Sequence, residues 1–495
     1  MGDVNGIVHT SVRSNRSLFP FGNAVRPVRS TPVVPSNRQP HADRRIDGAF
    51  FSGSPWLGTE TTVAKFGNSV RLLGDREFAA LAGTAFARSQ AYSTILIALA
   101  LYADLFGTTG FIEGLFGTAF AIVQLVIVLP LGRKVDTGNA KRWLLGGFLI
   151  NVAVFVGFAL VDSSVHIILV RMVQGLGASV LWITGATVIG EISPDDEQGR
   201  WLGSYNQFAS FSSLAGDLVG GYLLYAYGFS ETYLVLTLVT LAAFALVFAF
   251  LRDNPGGRKD PEDAGGIETF RSLLGLPLLR ALVFFRFTFS VGKMAVIIFL
   301  PIYARTTFGI SAFAIGWIMA GGKLTKALTQ GFVGDLTDRY ERTYLFVAVG
   351  ALLYGVGTAT IPLAAYFEGT LSPVTVSYLG DSQTLGGAFF ALFGAYSLLG
   401  VADSIRLPAS MSLFVSEGEA YDSVASAMSL RSVSWKVGQV VGPVLVGVTM
   451  DGTSTETGFL LAAGFIAFAT VGFAWQARGA HRAASDPGPA VPSDD

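Results

Sequence analysis

Glu231 to Leu251 reads ETYLVLTLVTLAAFALVFAFL, and Arg252 to Gly266 follows at once as RDNPGGRKDPEDAGG. After its first residue the former stretch holds no charge for twenty positions. At about 1.5 Å per helical residue that is roughly 30 Å, the hydrocarbon thickness of a bilayer. The latter stretch is polar and rich in Gly and Pro, so a membrane-crossing helix gives way to a linker.

Working outward, eleven further apolar runs of spanning length appear. The twelve expected spans are 79–103, 112–132, 143–161, 166–190, 201–227, 231–251, 279–303, 312–334, 343–366, 386–409, 424–450 and 456–476. Half of the chain is hydrophobic (51%) and only 14% is charged, so lipid must be its solvent over much of its length. Barrel strands give short alternating segments, whereas these runs are long and continuous, which leaves a helical bundle. The 59 glycines fit helices that approach closely.

The net charge of −1 offers no basic field for nucleic acid. Cysteine is absent, and the four histidines His9, His41, His166 and His481 show no metal-pair spacing, so no cofactor, metal centre or nucleophile constellation is expected and the chain is not read as an enzyme. Lys and Arg are unevenly placed. Arg71, Arg76, Arg133, Lys134, Lys141, Arg142, Arg200, Arg252, Arg258, Lys259, Arg271, Arg339, Arg342, Arg478 and Arg482 fall on one side of the expected bundle, and the opposite loops offer Arg305. The positive-inside rule then puts both termini and the linker in the cytoplasm.

The linker divides the spans six and six. FARSQAYSTILIALALYADLFG (Phe86 to Gly107) matches FFRFTFSVGKMAVIIFLPIYARTTFG (Phe284 to Gly309), aligning Arg88 with Arg286 and Tyr102 with Tyr303. GRKVDTGNAKR (Gly132 to Arg142) matches GDLTDRYER (Gly334 to Arg342), and VIGEISPDD around Glu191 matches FVSEGEAYD around Glu417 across a longer polar loop from Phe367 to Leu385. Internal duplication is expected. The expected domains are a disordered tail over 1–75, a six-helix bundle over 76–251, a linker over 252–278, a second bundle over 279–477 and a disordered tail over 478–495. The Pro-, Arg- and Ser-rich first 70 residues lack the apolar core of a signal peptide and are read as a dispensable tail.

The paired Gly-x-x-x-Asp loops, the fourth-span run LVRMVQGLGA (Leu169 to Ala178) and the fifth-span run GSYNQFASFSSLAGDLVGG (Gly203 to Gly221) together resemble three signature motifs of the major facilitator superfamily, over residues 75 to about 480. The resemblance implies an all-α membrane protein of twelve transmembrane helices in two pseudo-symmetric six-helix bundles, each built of inverted three-helix repeats, working by alternating access. It is closest to members that exchange drugs or metabolites for protons. It implies a conformational role for the loop residues Gly132, Asp136, Lys141, Arg142, Gly334, Asp338, Arg339 and Arg342, the two aspartates capping helices of the opposite half. Thr137 stands where a basic residue is usual, and Asp217 stands where antiporter members have Pro, with Ser212 replacing a glycine.

Gly175, Gly177, Gly216, Gly220, Gly221, Gly438, Gly442 and Pro443 are expected to serve helix packing. A charge within hydrocarbon needs a partner. Counting back from the turn at Asp195 to Gln198 puts Arg171 and Asp217 at one depth, so the sequence predicts that they pair and couple protons. The same count from Gly418 to Asp422 brings Asp403 and Arg406 level with Lys436. Other cations have no obvious acid, so Arg88, Arg286, Lys293, Lys323, Lys326 and Arg406, with Gln124 as the repeat counterpart of Lys326, are expected to line a substrate cavity. Arg431 is expected to reach the interface instead.

Gly321-Gly322-Lys323-Leu324 lacks the spacing of a phosphate-binding loop, so ATP is not expected to drive the protein. The expectation is a monomeric secondary carrier in a prokaryotic cytoplasmic membrane, its partners being lipid, a small molecule and protons. Export of a small organic compound in exchange for protons competes with uptake or exchange of a small organic or phosphate-like anion. A transporter-shaped receptor would be expected to carry a signalling domain, which neither end supplies.

Overall fold

The computed structural model describes residues 70–255 and 273–485 apart from Asp195, Glu341, Leu379, Gly380 and Asp422. Residues 1–69 of the tail expected over 1–75, linker residues 256–272, the end of the chain from 486 and the Asp338 side chain lie outside the described residues.

Among the described residues, twelve helices have at least 18 residues: α1 Arg76–Phe106, α2 Gly110–Thr137, α3 Ala140–Ala159, α4 Ser164–Ile192, α5 Gln198–Ala226, α6 Gly228–Phe250, α7 Pro277–Phe308, α8 Ala312–Arg339, α9 Thr343–Thr360, α10 Gly387–Ala420, α11 Val424–Gly452 and α12 Thr455–Ser485. Ten of the membrane-length segments are apolar enough to cross a bilayer on that ground alone, and α5 and α8 fall short. Both carry strings of polar residues, which is tolerable only where a helix faces protein or water.

Helix ends follow local chemistry. The Asp75 carboxylate accepts from the Phe78 N–H at 2.9 Å and starts α1. α1 and α7 both end on a left-handed glycine, Gly107 (φ 55°) and Gly309 (φ 64°), each preceded by Phe, so the repeat extends to the helix stop. Most helices overrun the hydrocarbon length. α10 continues to Ala420 and α12 to Ser485, where a disordered tail from 478 was expected, because nothing apolar is needed to prolong a helix into water. The loop after α9 also differs from expectation. It holds a 3-10 turn Ile361–Leu363, a short helix Ala364–Thr370 and an antiparallel hairpin of β1 Val374–Tyr378 and β2 Asp381–Leu385.

The two halves repeat the same packing. α1 packs on α5 and α6, α2 on α4, and α3 on α4 and α6; correspondingly α7 packs on α11 and α12, α8 on α10, and α9 on α10 and α12. Glycine makes the closest of these contacts possible. A Cβ on Gly216 of α5 would lie 2.5 Å from the Gln90 carbonyl oxygen of α1, and one on Gly442 of α11 would lie 2.2 Å from that of Val291 on α7.

Between the halves the main contacts are α2 with α11 and α5 with α8. Their tightest approaches share one end of the bundle. Gly114 meets the Pro443 backbone, Gly447 meets Gly110, and Gly316 meets the Asp217 backbone. At that end the Asp451 carboxylate of α11 accepts from the Gly110 and Phe111 N–H groups of α2 at 2.6 and 2.8 Å, and Arg305 of α7 pairs with Asp104 of α1 at 2.8 Å. At the other end, Gly132, Gly190, Gly199, Gly203, Gly331 and Gly334 have open space where a Cβ would stand. One apolar core crosses both halves, and a second, from Leu72 to Leu251, belongs to the first half alone. The links between the halves described here are thus gathered at the Arg305 end.

Two outcomes follow. Gly442→Val forces a side chain against a backbone carbonyl and is expected to lose about 1–3 kcal/mol of stability, while Gly146→Val, where a Cβ has open space, is expected to leave the thermal midpoint unchanged in detergent. Asp451→Ala removes a cap that crosses the halves, a loss of about 1 kcal/mol. It is expected to raise labelling of a cysteine at Thr109 by a membrane-impermeant maleimide several-fold. Unchanged labelling would show that the cap does not hold the seal.

Candidate functional site

The first cluster sits on the seam between α1, α5 and α8. Asp217 of α5 is fully buried and pairs with Lys323 of α8 at 2.5 Å. Lys323 also donates to the Ser93 hydroxyl at 2.8 Å and the Ser213 carbonyl at 3.1 Å, and the two serine hydroxyls bond each other at 2.8 Å. The Lys323 side chain keeps 27% of its surface exposed, whereas that of Asp217 keeps none.

This arrangement overturns the expected pairing of Arg171 with Asp217. Arg171 is buried on α4, where Nε donates to the Phe116 carbonyl at 2.7 Å, Nη1 donates to Gln174 at 2.6 Å and the guanidinium lies over Phe120 at 4.5 Å. Equal depth fixes height along a helix but not the face, which turns by about 100° per residue. The neighbours of α4 are α2 and α3, and it touches α5 only sparsely. Arg171 therefore looks toward α2 and Asp217 toward α8.

The second cluster belongs to the second half. Asp403 of α10 pairs with Lys293 of α7, and its other oxygen accepts from Arg406 at 2.7 Å, one turn along α10. The expected partner Lys436 points elsewhere, across the seam, where it donates to Gln124 of α2. The reason is again azimuth: α11 presents Lys436 toward α2, its main partner in the other half. Aromatic rings cover the remaining cation faces. Arg406 lies over Phe289 at 4.0 Å, Arg286 over Trp435 at 4.4 Å, and Lys293 is 5.0 Å from the Tyr354 ring. In the first half, Arg88 likewise lies over Trp182 at 4.3 Å.

Lys326 is half-buried and within Coulombic reach of Asp403 and Lys293. Arg431 is also half-buried, with a buried Nε that has no acceptor among the described residues, so it is less free than an interfacial side chain.

The loop residues are spread out in this state. Lys141 donates to the Leu251 carbonyl at 2.7 Å and pairs with Asp253 at 3.4 Å, tying α3 to the end of α6 within one half. Arg142, Arg339 and Arg342 are exposed. Asp136 makes no ion pair or hydrogen bond among the described residues, so the expected cap on a helix of the opposite half is not formed there.

Several contributors escaped the sequence reading. Ser93, Ser213, Trp182, Tyr354 and Trp435 look like ordinary helix residues until their neighbours are known. Asp451 did carry a signal, for an acid in the last turn of a helix opposes that helix's own dipole and suggests service to another. Removing one carboxylate tests the second cluster. Asp403→Asn leaves Lys293 and Arg406 buried without a counter-charge and is expected to cost about 3–5 kcal/mol. The double change with Lys293→Met is expected to restore part of that loss in thermal unfolding.

A family model described as Major Facilitator Superfamily matches residues 81–362 and 282–491. The chain is 22% identical over 360 residues to an uncharacterized MFS-type transporter of Methanocaldococcus jannaschii, covering 71% of this chain and 86% of that one. It is 25% identical over 396 residues to the multidrug resistance protein MdtG of Dickeya zeae, covering 78% and 89%. Among solved structures, a bacterial homolog of the human lysosomal transporter Spinster, inward-facing and unoccupied, superposes with TM-score 0.64 at 15% identity, covering 82% of this chain and 97% of that one. The peptide transporter POT in complex with sulfate gives 0.65 at 14%, covering 82% and 95%. The chain belongs to the major facilitator superfamily, and it is an integral multi-pass membrane transporter.

Proposed function

We propose that the protein is a monomeric secondary active transporter that exports a small organic compound in exchange for protons, from a prokaryotic cell whose cytoplasm faces the basic end and holds both termini. The observation that carries this is the Asp217–Lys323 pair, set between the two halves with the carboxylate fully buried and the lysine side chain partly exposed. Protonating Asp217 removes the charge that holds Lys323, and with it a link from α8 to α1 and α5. A pair placed on the seam, rather than inside one half, makes the proton's arrival an event of the interface that has to move. This replaces the expected coupling through an Arg171–Asp217 pair, since Arg171 is bound within the first half. Relatives named multidrug resistance proteins support the outward direction.

We place the substrate cavity between the halves, opening under this orientation toward the cytoplasm, opposite the Arg305–Asp104 and Asp451 links. Loading from that side is the first step of export. The excess of buried cations over acids favours a second reading, uptake or exchange of an anion, which uses the same cavity in the other direction.

Proteoliposomes carrying a pH gradient test the coupling. A panel of labelled lipophilic cations, neutral aromatics and organic anions identifies a transported solute. Asp217→Asn is then expected to abolish gradient-driven accumulation while gradient-independent counterflow persists. Full retention of pH-driven transport in that variant would overturn the role of Asp217.

A further inference from the structure

We infer that the second-half wall of the cavity is a binding subsite for a flat aromatic carboxylate, held by Arg286 through its charge and by Trp435 through its ring. This rests on reading the cavity as the substrate site. Arg286, Lys293 and Arg406 are buried or nearly so around one acid, Asp403. The four groups carry a net charge of +2, and Lys326 and Arg431 lie close enough to add to it.

Asp403 is already committed to Lys293 and Arg406, so Arg286 is the cation left over. It is 7% exposed, and its Nε and Nη1 find no acceptor among the described residues. Two of its three nitrogens lack acceptors and its nearest acid is shared with two other cations, and a carboxylate at the guanidinium supplies charge and acceptors together. A charge buried in a membrane protein and not matched by its own chain is matched by what passes.

The body of the ligand follows from the walls. Trp435 is partly open, and both Arg286 and Lys293 border its ring, at 4.4 and 5.9 Å. The buried Tyr354 closes the side next to Lys293. A planar apolar group stacked on Trp435 would bring an attached carboxylate to Arg286. Arg286 lies over one face of that ring, so the body would lie against the part of Trp435 that stays open.

Equilibrium binding of 2-naphthoate to the full-length protein in nanodiscs, measured by calorimetry against the neutral isostere 2-naphthamide and against inorganic phosphate, tests this without any variant. The expected result is that naphthoate binds about tenfold or more tightly than naphthamide, that phosphate competes poorly, and that Arg286→Gln erases the preference while its thermal midpoint is preserved. Equal binding of naphthoate and naphthamide, or no binding of naphthoate, overturns the charge role of Arg286. Phosphate competing as well as naphthoate overturns the role of the ring. Export of a lipophilic cation without naphthoate binding would leave the transport reading standing and remove this one. Naphthoate binding with no counterflow of any solute in proteoliposomes would do the reverse.

Discussion

A charge placed between helices in a bilayer has neither water nor much choice of partner. In this protein that constraint acts on the seam where two rigid halves meet. The Asp217–Lys323 pair is its sharpest expression: a fully buried carboxylate on one half, and a partly exposed lysine on the other. Removing either charge leaves its partner unpaired, which costs several kcal/mol in a buried setting. A change in either charge would alter the contact between the halves directly. α5 and α8 are the least apolar of the long helices because they hold this seam.

The rest of the scaffold keeps the halves stiff so that such a small event has a large consequence. Within each half, α5 lies against α1 and α11 against α7 at distances that leave no room for a side chain on Gly216 or Gly442. Packing that close does not deform gradually, so motion is confined to the interface. At the sealed end the interface is held by backbone contact and by polar links, the Asp451 cap on α2 and the Arg305–Asp104 pair. These links are exposed and individually modest. A seal built from several weak contacts can be undone within the reach of a substrate or a proton.

The halves are related by duplication but have diverged in charge. The first half keeps its arginines satisfied or stacked, Arg171 on Phe116, Gln174 and Phe120, and Arg88 on Trp182. The second half gathers Arg286, Lys293 and Arg406 about a single acid. Both halves therefore hold buried cations, and the second gathers more of them about one acid; that asymmetry gives the substrate reading its content.

The amino-acid sequence alone determined the number and order of long helices, the division into two halves and the identity of the buried charges. Each of these is written in composition and in position along the chain, because lipid demands long apolar runs and makes every interruption conspicuous. Only the tertiary structure decided which charges meet. Counting from a turn located Arg171 and Asp217 at one depth, and Asp403 and Lys436 at another, yet Asp217 found Lys323 and Asp403 found Lys293. Depth is linear in sequence, whereas the face a residue presents depends on which helix stands beside it. The helices consecutive in the chain, α4 and α5, are scarcely neighbours in the bundle, and the partner that mattered came from the other half.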